Sequence, residues 1–374
     1  MRRLPWLLGF LALIGCAPQP QGPGFPATGP QARWAPPPMP GDAAAPRSRV
    51  ALLLPLSGPQ APLGEAMQNA ATLALFEGGD RGVEFLPRDT RSSSAGAADA
   101  ARQAVAEGAR AVAGPLTLQE TAAVSAATGG QLPVFAFTSD EAQAGPATWV
   151  LGITPTQQAR RVMQAALGQG ARRFALLAPE DAFGQRLADA MRRAAAEAGL
   201  PPPVIQFTAA RGGDLAGAAE ALAAQLPDAV LLGGGGAFAR QAAPALATAF
   251  GGRPPRLLGT SLWATEPGLG NEPALAGALF PGPDPAGRGR FEAAYAGAFG
   301  AAPPRTAGVA YDGAALAARA ARAGAPPLGE PFMGADGPIQ LRENGVLARG
   351  LAVFALRPGA DPQLVQAAPA GAGS

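Results

Sequence analysis

Val50-Ala-Leu-Leu-Leu-Pro-Leu56, stopped by Ser57-Gly58-Pro59, is the stretch from which the fold is read. A continuous apolar run of this length fits a strand covered on both faces, as in a parallel sheet with helices on either side. The residues that follow test it. Leu63 to Phe76 places Met67, Ala70, Ala71, Ala74 and Leu75 at helical spacing. Val83 to Leu86 reads as a strand ending in Arg88-Asp89. Ala95 to Glu107 is a helix closed by Gly108, and Ala111-Val112-Ala113 a third strand running into Gly114-Pro115-Leu116-Thr117. A helix from Leu118 to Ala127 and a strand from Leu132 to Phe137 complete the series. Repeated strand–helix alternation predicts an α/β, doubly wound sheet with right-handed crossovers.

The alternation then restarts. Helices are expected over Thr156 to Leu167, Phe183 to Ala198, Leu215 to Leu226, Ala237 to Phe250 and Gly308 to Ala323. Strands are expected at Phe174 to Ala178, Val204 to Phe207, Ala229 to Leu232 and Arg256 to Leu258. Two similar units predict two α/β lobes of one architecture. From Phe332 to Val365 the chain alternates like strands. Asn344-Gly345 predicts a hairpin turn between Pro338–Leu341 and Leu351–Leu356.

Upstream, Arg2 and Arg3 precede a short apolar run, Leu4 to Ile14. It is far shorter than the roughly 20 residues of a membrane-spanning helix and reads as a secretory signal over residues 1–15. The run ends in Leu13-Ile14-Gly15-Cys16, which resembles a bacterial lipobox, with Cys16 as the lipidated residue and membrane lipid as its partner. Ala17 in place of Asp points to the outer membrane. Residues 16–48 form a Pro-rich tether, semi-rigid at about 3.1 Å per residue and able to reach on the order of 100 Å. Residues 49–366 form the two-lobed body and 367–374 a flexible tail. The first lobe is expected over 49–153 and 284–326, the second over 154–283 and 327–366.

Composition narrows the function. The chain has no histidine, and Cys16 is its only cysteine. The usual general base, the commonest metal ligand and a free thiol nucleophile are therefore missing. The acids fall singly, so no carboxylate pair can be read. No cofactor, metal site or catalytic set is expected, and a binding protein is favoured over an enzyme. The formal charge of +2 loses Arg2 and Arg3 with the leader, which leaves no electrostatic footprint for nucleic acid. Arg160-Arg161, Arg172-Arg173 and Arg192-Arg193 read as solvated pairs.

Several segments in order resemble the type I periplasmic binding-protein family, which contains the leucine/isoleucine/valine receptors. They are Leu52 to Pro59 with Leu63-Gly64 and Asn69-Ala70, Gly114-Pro115-Leu116-Thr117, Leu132-Pro133-Val134, Ala182-Phe183-Gly184, Ala310-Tyr311-Asp312-Gly313, and Gly337 to Leu341 with Asn344-Gly345. The resemblance implies two doubly wound α/β lobes with a hinge, closing on a ligand beyond the carboxyl ends of the strands. Cleft candidates are then Ser57, Leu63, Thr117, Leu118, Thr138, Ser139, Asp140, Phe183, Gly235, Ser261 and Trp263. The amino-acid receptors hold a ligand carboxylate with hydroxyls and a ligand ammonium with an acid. Here Leu118 stands at a hydroxyl position, Asp140 lies near the carboxylate position, and Gly259-Thr260-Ser261 carries no acid.

Asp140 and Asp181 are also candidate helix caps, and Trp263 a candidate core filler. Phe135 to Asp140, Thr154-Pro155 and Gln157 to Arg161 are more similar to a second branch, the lipoproteins that activate penicillin-binding proteins. That branch implies a peptidoglycan synthase as partner. The receptor branch implies an ABC permease and a small polar ligand such as an amino acid.

Overall fold

The computed structural model describes residues 47–79, 81–209, 213–251, 253–369 and 371. The leader, Cys16 and nearly all of the tether lie outside them. Among the described residues no helix is long and apolar enough to cross a membrane.

The first sheet is built from β1 (Ser48–Leu54), β2 (Val83–Asp89), β3 (Ala111–Ala113), β4 (Val134–Ala136) and β5 (Thr148–Val150), in the order β2-β1-β3-β4-β5. Every pairing is parallel. Helices α1 (Ala61–Glu77), α2 (Ser94–Ala106) and α3 (Leu118–Thr128) form the crossovers. The opening strand explains the layering. Val50 to Leu54 are all fully buried, and their side chains alternate between two cores. Val50, Leu52 and Leu54 face the α1 side, while Ala51 and Leu53 face α2 and α3. Each buried leucine contributes about 1.5–3 kcal/mol.

The second sheet repeats the device. Its elements are α4 (Pro155–Gly168), β6 (Phe174–Pro179), α5 (Ala182–Glu197), β7 (Val204–Thr208), α6 (Leu215–Ala223), β8 (Ala229–Leu232), α7 (Gly236–Ala249), β9 (Arg256–Leu258) and β10 (Leu279–Gly282). On β6, Phe174, Leu176 and Ala178 face α4 and α5, whereas Ala175 and Leu177 face α6 and α7. The chain then returns to the first lobe with α8 (Pro285–Phe299) and α9 (Ala307–Ala323), which pack on α1.

The C-terminal region departs from expectation. Strands β11 (Pro331–Gly334), β12 (Gly337–Leu341) and β13 (Leu347–Arg349) form a separate antiparallel sheet. Asn344-Gly345 turns β12 into β13, not into Leu351–Leu356. That later segment is β14 (Ala352–Arg357), which joins the second sheet beside β10 and is followed by β15 (Ala360–Gln366). Ile339, Leu341 and Leu347 bury into the first lobe's core, although residues 327–366 are expected in the second lobe. The chain passes between lobes near 151–154, 282–285 and 349–352. Strands β5 and β10 and helix α8 carry no clear sequence signal. The two strands are short, and α8 is rich in Ala, Gly and Arg.

Glycine has a geometric task where a helix starts beside a strand end. A Cβ on Gly64 would lie 2.1 Å from Pro55 O, and one on Gly184 2.2 Å from Pro179 O. The same close approach occurs in both lobes, which is why Leu63-Gly64 and Phe183-Gly184 occupy matching places.

Candidate functional site

Most polar groups at the strand ends of the two lobes bond to other groups of the chain itself. After β1, Ser57 is exposed, and its hydroxyl bonds to Asp89 at the end of β2. Asp89 Oδ1 also accepts from Leu56 N at 2.9 Å and Arg91 N at 2.8 Å. Burial opposes the charge on Asp89, but these hydrogen bonds, with one from Ser57 N, hold its carboxyl below the usual range. Asp89 therefore fixes the turn. Leu63 is half-buried against the first core.

Thr117 caps α3. Its Oγ1 accepts from Glu120 N at 3.3 Å, while its own N–H and O–H donate to Glu120 Oε2 at 3.0 and 2.9 Å. This capping box uses the hydroxyl proton that a ligand carboxylate would need. Leu118 is half-buried at the helix start. After β4, Thr138 is buried and accepts from Asp140 N at 3.2 Å; Ser139 is exposed.

Asp140 is only 4% exposed. One oxygen caps the short turn Glu141–Gln143 by accepting from Ala142 N at 3.1 Å. The other accepts from Arg186 Nη2, on α5 of the opposite lobe, at 2.7 Å. Asp181 caps α5 by accepting from Gly184 N at 2.8 Å.

In the second lobe Phe183 is half-buried against the core and Gly235 caps α7 through its backbone. Ser261 is buried. Its N–H donates to Gln158 Oε1 at 2.9 Å, and its carbonyl accepts from Arg305 Nη2 of the first lobe at 2.8 Å. Trp263 is a core residue, 1% exposed, its indole N–H donating to Gly234 O at 3.1 Å and its ring 6.2 Å from Phe280. It offers no face for ligand stacking. Glu266 lies against Gly236, where a Cβ would meet its carboxyl at 2.6 Å, and pairs with Arg240 at 3.6 Å.

A buried ion-pair cluster ties the crossings together. Asp312 on α9 is fully buried; Oδ1 accepts from Ala335 N at 2.7 Å and Oδ2 from Arg349 Nη2 at 2.8 Å. Burial pushes its carboxyl pKa up, and Arg349 opposes that shift. Arg349 also donates to Leu151 O at 3.3 Å, at another crossing. Beside this cluster, Arg161 does not behave as a solvated residue. Its Nε and Nη2 donate to Leu351 O and Ala367 O at 2.7 and 3.0 Å.

Arg186, Gln158, Arg305 and Asp312 are the residues that sequence reasoning does not assign to the site. Each acts through a long-range partner, which spacing along the chain cannot reveal. Among the described residues no group of acidic residues could hold a metal ion.

Comparison with solved structures agrees with this architecture. A Rhodospirillum rubrum protein described as a branched-chain amino acid ABC transporter superposes with a TM-score of 0.73 at 20% identity, covering 85% of this chain and 100% of that one. The C-domain of LpoA from Haemophilus influenzae, a regulator of PBP1A, gives 0.67 at 20% identity, with 85% and 100% coverage. The leucine-binding protein LivK of Thermotoga maritima gives 0.59 at 20% identity, with 86% and 99% coverage. The chain spans 59% of full-length LpoA. No curated protein sequence matches it. A family model described as periplasmic binding protein matches residues 48–336, and the chain belongs to that family, with its type I fold of two α/β lobes.

Proposed function

We propose that this is a non-enzymatic periplasmic lipoprotein, anchored through Cys16 to the outer membrane, that regulates a peptidoglycan synthase. The observation that carries this reading is the pairing of Asp140 with Arg186 across the cleft. A zwitterionic amino acid needs a cationic or hydroxyl partner for its carboxylate and an acid for its ammonium. Here Asp140 is held by Arg186, Thr117 by Glu120 and Glu266 by Arg240. A desolvated ligand ammonium without a charged partner would cost several kcal/mol. The similarity to the C-domain of a PBP1A regulator supports the same reading, and a long Pro-rich tether suits a protein that seeks its partner at a distance.

Affinity capture of the full-length lipoprotein from solubilised envelope tests it. Enrichment of a peptidoglycan synthase is expected, and recovery of an importer permease alone would overturn the reading.

The second reading is a substrate receptor of an ABC importer for a small polar solute. Likeness over 85–86% of the chain to a branched-chain amino acid transporter protein and to a leucine-binding protein favours it. A ligand at 100 times its dissociation constant would stabilise the protein by about 2.7 kcal/mol. A thermal-shift screen of amino acids, amides, urea and small peptides therefore separates the two readings.

A further inference from the structure

The first lobe carries a cavity of about 360 Å³ that shares no residue with the strand-end cleft. Its walls are the last turn of α1, one stripe of α9, Arg290 of α8 and the edge strand β11. All of these belong to one lobe, so the shape of the cavity does not depend on how the lobes are apposed. On α9, Tyr311, Ala315, Arg319 and Arg322 fall three or four residues apart and share one helix face. The floor is apolar: Leu75, Tyr311, Ala315 and Phe332 are half-buried against the first core. Apolar surface continues outward. Met333 is 46% exposed. Phe76, between the lining residues Leu75 and Glu77, is 82% exposed, the most of any large apolar side chain among the described residues.

The charge here is positive and accessible. Arg290 is exposed and Arg319 half-buried. The Arg319 guanidinium carbon lies 4.7 Å from the centroid of the Phe332 ring, and both residues line the cavity. Arg290 Nη2 donates to Gly334 O at 3.2 Å. A ring and a carbonyl hold these two side chains in place, and neither contact supplies a compensating negative charge. Glu77 is the only acid among the described lining residues, and it accepts a hydrogen bond from the Tyr311 hydroxyl. Burial first, and then that bond, push the pKa of the phenol up, so Tyr311 keeps its proton and remains the donor. Arginine, aromatic residues and methionine around a concavity are the side chains enriched at protein interfaces, and Arg and Tyr are among those that carry most binding energy there.

We infer that this face of the first lobe docks a protein partner through an acidic segment of that partner. Its carboxylates meet Arg290 and Arg319, as guanidinium forks favour, and an apolar side chain beside them enters against Phe332 and Met333. Charge complementarity selects the acid, and the concave shape selects a protruding segment of a protein over a lipid surface. The inference names a surface and the chemistry that fits it; it stands apart from the regulatory reading, because an acidic partner of any identity satisfies it.

The test is site-directed photocrosslinking of the full-length chain in the intact envelope. A photoreactive phenylalanine analogue replaces Met333 or, as a control on the second lobe, Leu226, which is 62% exposed. The crosslinked peptides are identified by mass spectrometry. A protein adduct is expected from the Met333 site, joined to a segment rich in Asp and Glu, with little from the Leu226 site. Arg290→Glu places like charges together and should lower the adduct yield about tenfold. Arg319→Gln should lower it severalfold. Arg290 is exposed, so its variants keep the fold, and Arg290→Lys, which keeps the charge, should retain most of the yield. No adduct from the Met333 site, an adduct with lipid alone, equal yields from the two sites, a crosslinked segment without acids, or a yield unmoved by both Arg290→Glu and Arg319→Gln would each overturn the inference. An adduct with an acidic segment of a protein other than a synthase would support this surface and count against the regulatory reading instead.

Discussion

Asp140, after β4, and Arg186 on α5 form a 2.7 Å ion pair that joins the two lobes. Asp140 is almost wholly buried and Arg186 about one-third exposed, so the pair is neither a screened surface contact nor a dry one. The pair favours apposition of the two lobes.

Replacing Arg186 by Ala strands the Asp140 carboxylate. Full burial of both partners would make the loss several kcal/mol; solvent around Arg186 reduces it to about 1–2 kcal/mol. Urea unfolding should show that loss. Small-angle scattering should show a larger radius of gyration for the variant.

Asp312→Asn removes the negative member of the fully buried pair with Arg349. Breaking a fully buried pair costs about 3–5 kcal/mol, and the expected loss lies at the low end because Asp336 Oδ2 remains 3.9 Å from Arg349 Nη1. The urea midpoint should fall accordingly.

Trp263→Ala distinguishes a core side chain from a ligand platform. The indole is buried against Phe280 and bonded to Gly234. The expected cost is about 3–5 kcal/mol of stability, measured by denaturant unfolding of the protein without ligand.

Asp89 makes an acid-limb prediction. Its hydrogen bonds to Ser57, Leu56 and Arg91 outweigh burial and hold its folded pKa below that of an ordinary carboxylate, so the folded state binds fewer protons than the unfolded one. The stability it contributes is present above about pH 4 and is lost as pH falls through the folded pKa. Asp89→Asn should lower stability at pH 7 and flatten its decline below about pH 4, read from unfolding curves between pH 7 and pH 2.

The fold was legible where burial on two faces leaves a continuous apolar run, as in Val50 to Leu54, and where helices carry periodic alanines. It was not legible at β5 and β10, three and four residues long, whose place depends on neighbours distant in sequence. Asn344-Gly345 marked a turn correctly, but the strand after it could not be told from the next. For the site, the sequence located the strand-end loops. It could not show that Thr117 spends its hydroxyl on Glu120, that Trp263 turns inward, or that Arg186 reaches Asp140, because those facts arise from side-chain packing between elements far apart in the chain.

The most direct measurement is the glycan-polymerising and cross-linking rate of an envelope peptidoglycan synthase, reconstituted with and without the full-length lipoprotein. The predicted result is a severalfold change in rate that saturates with lipoprotein concentration. A rate unchanged at saturating lipoprotein would contradict the regulatory role.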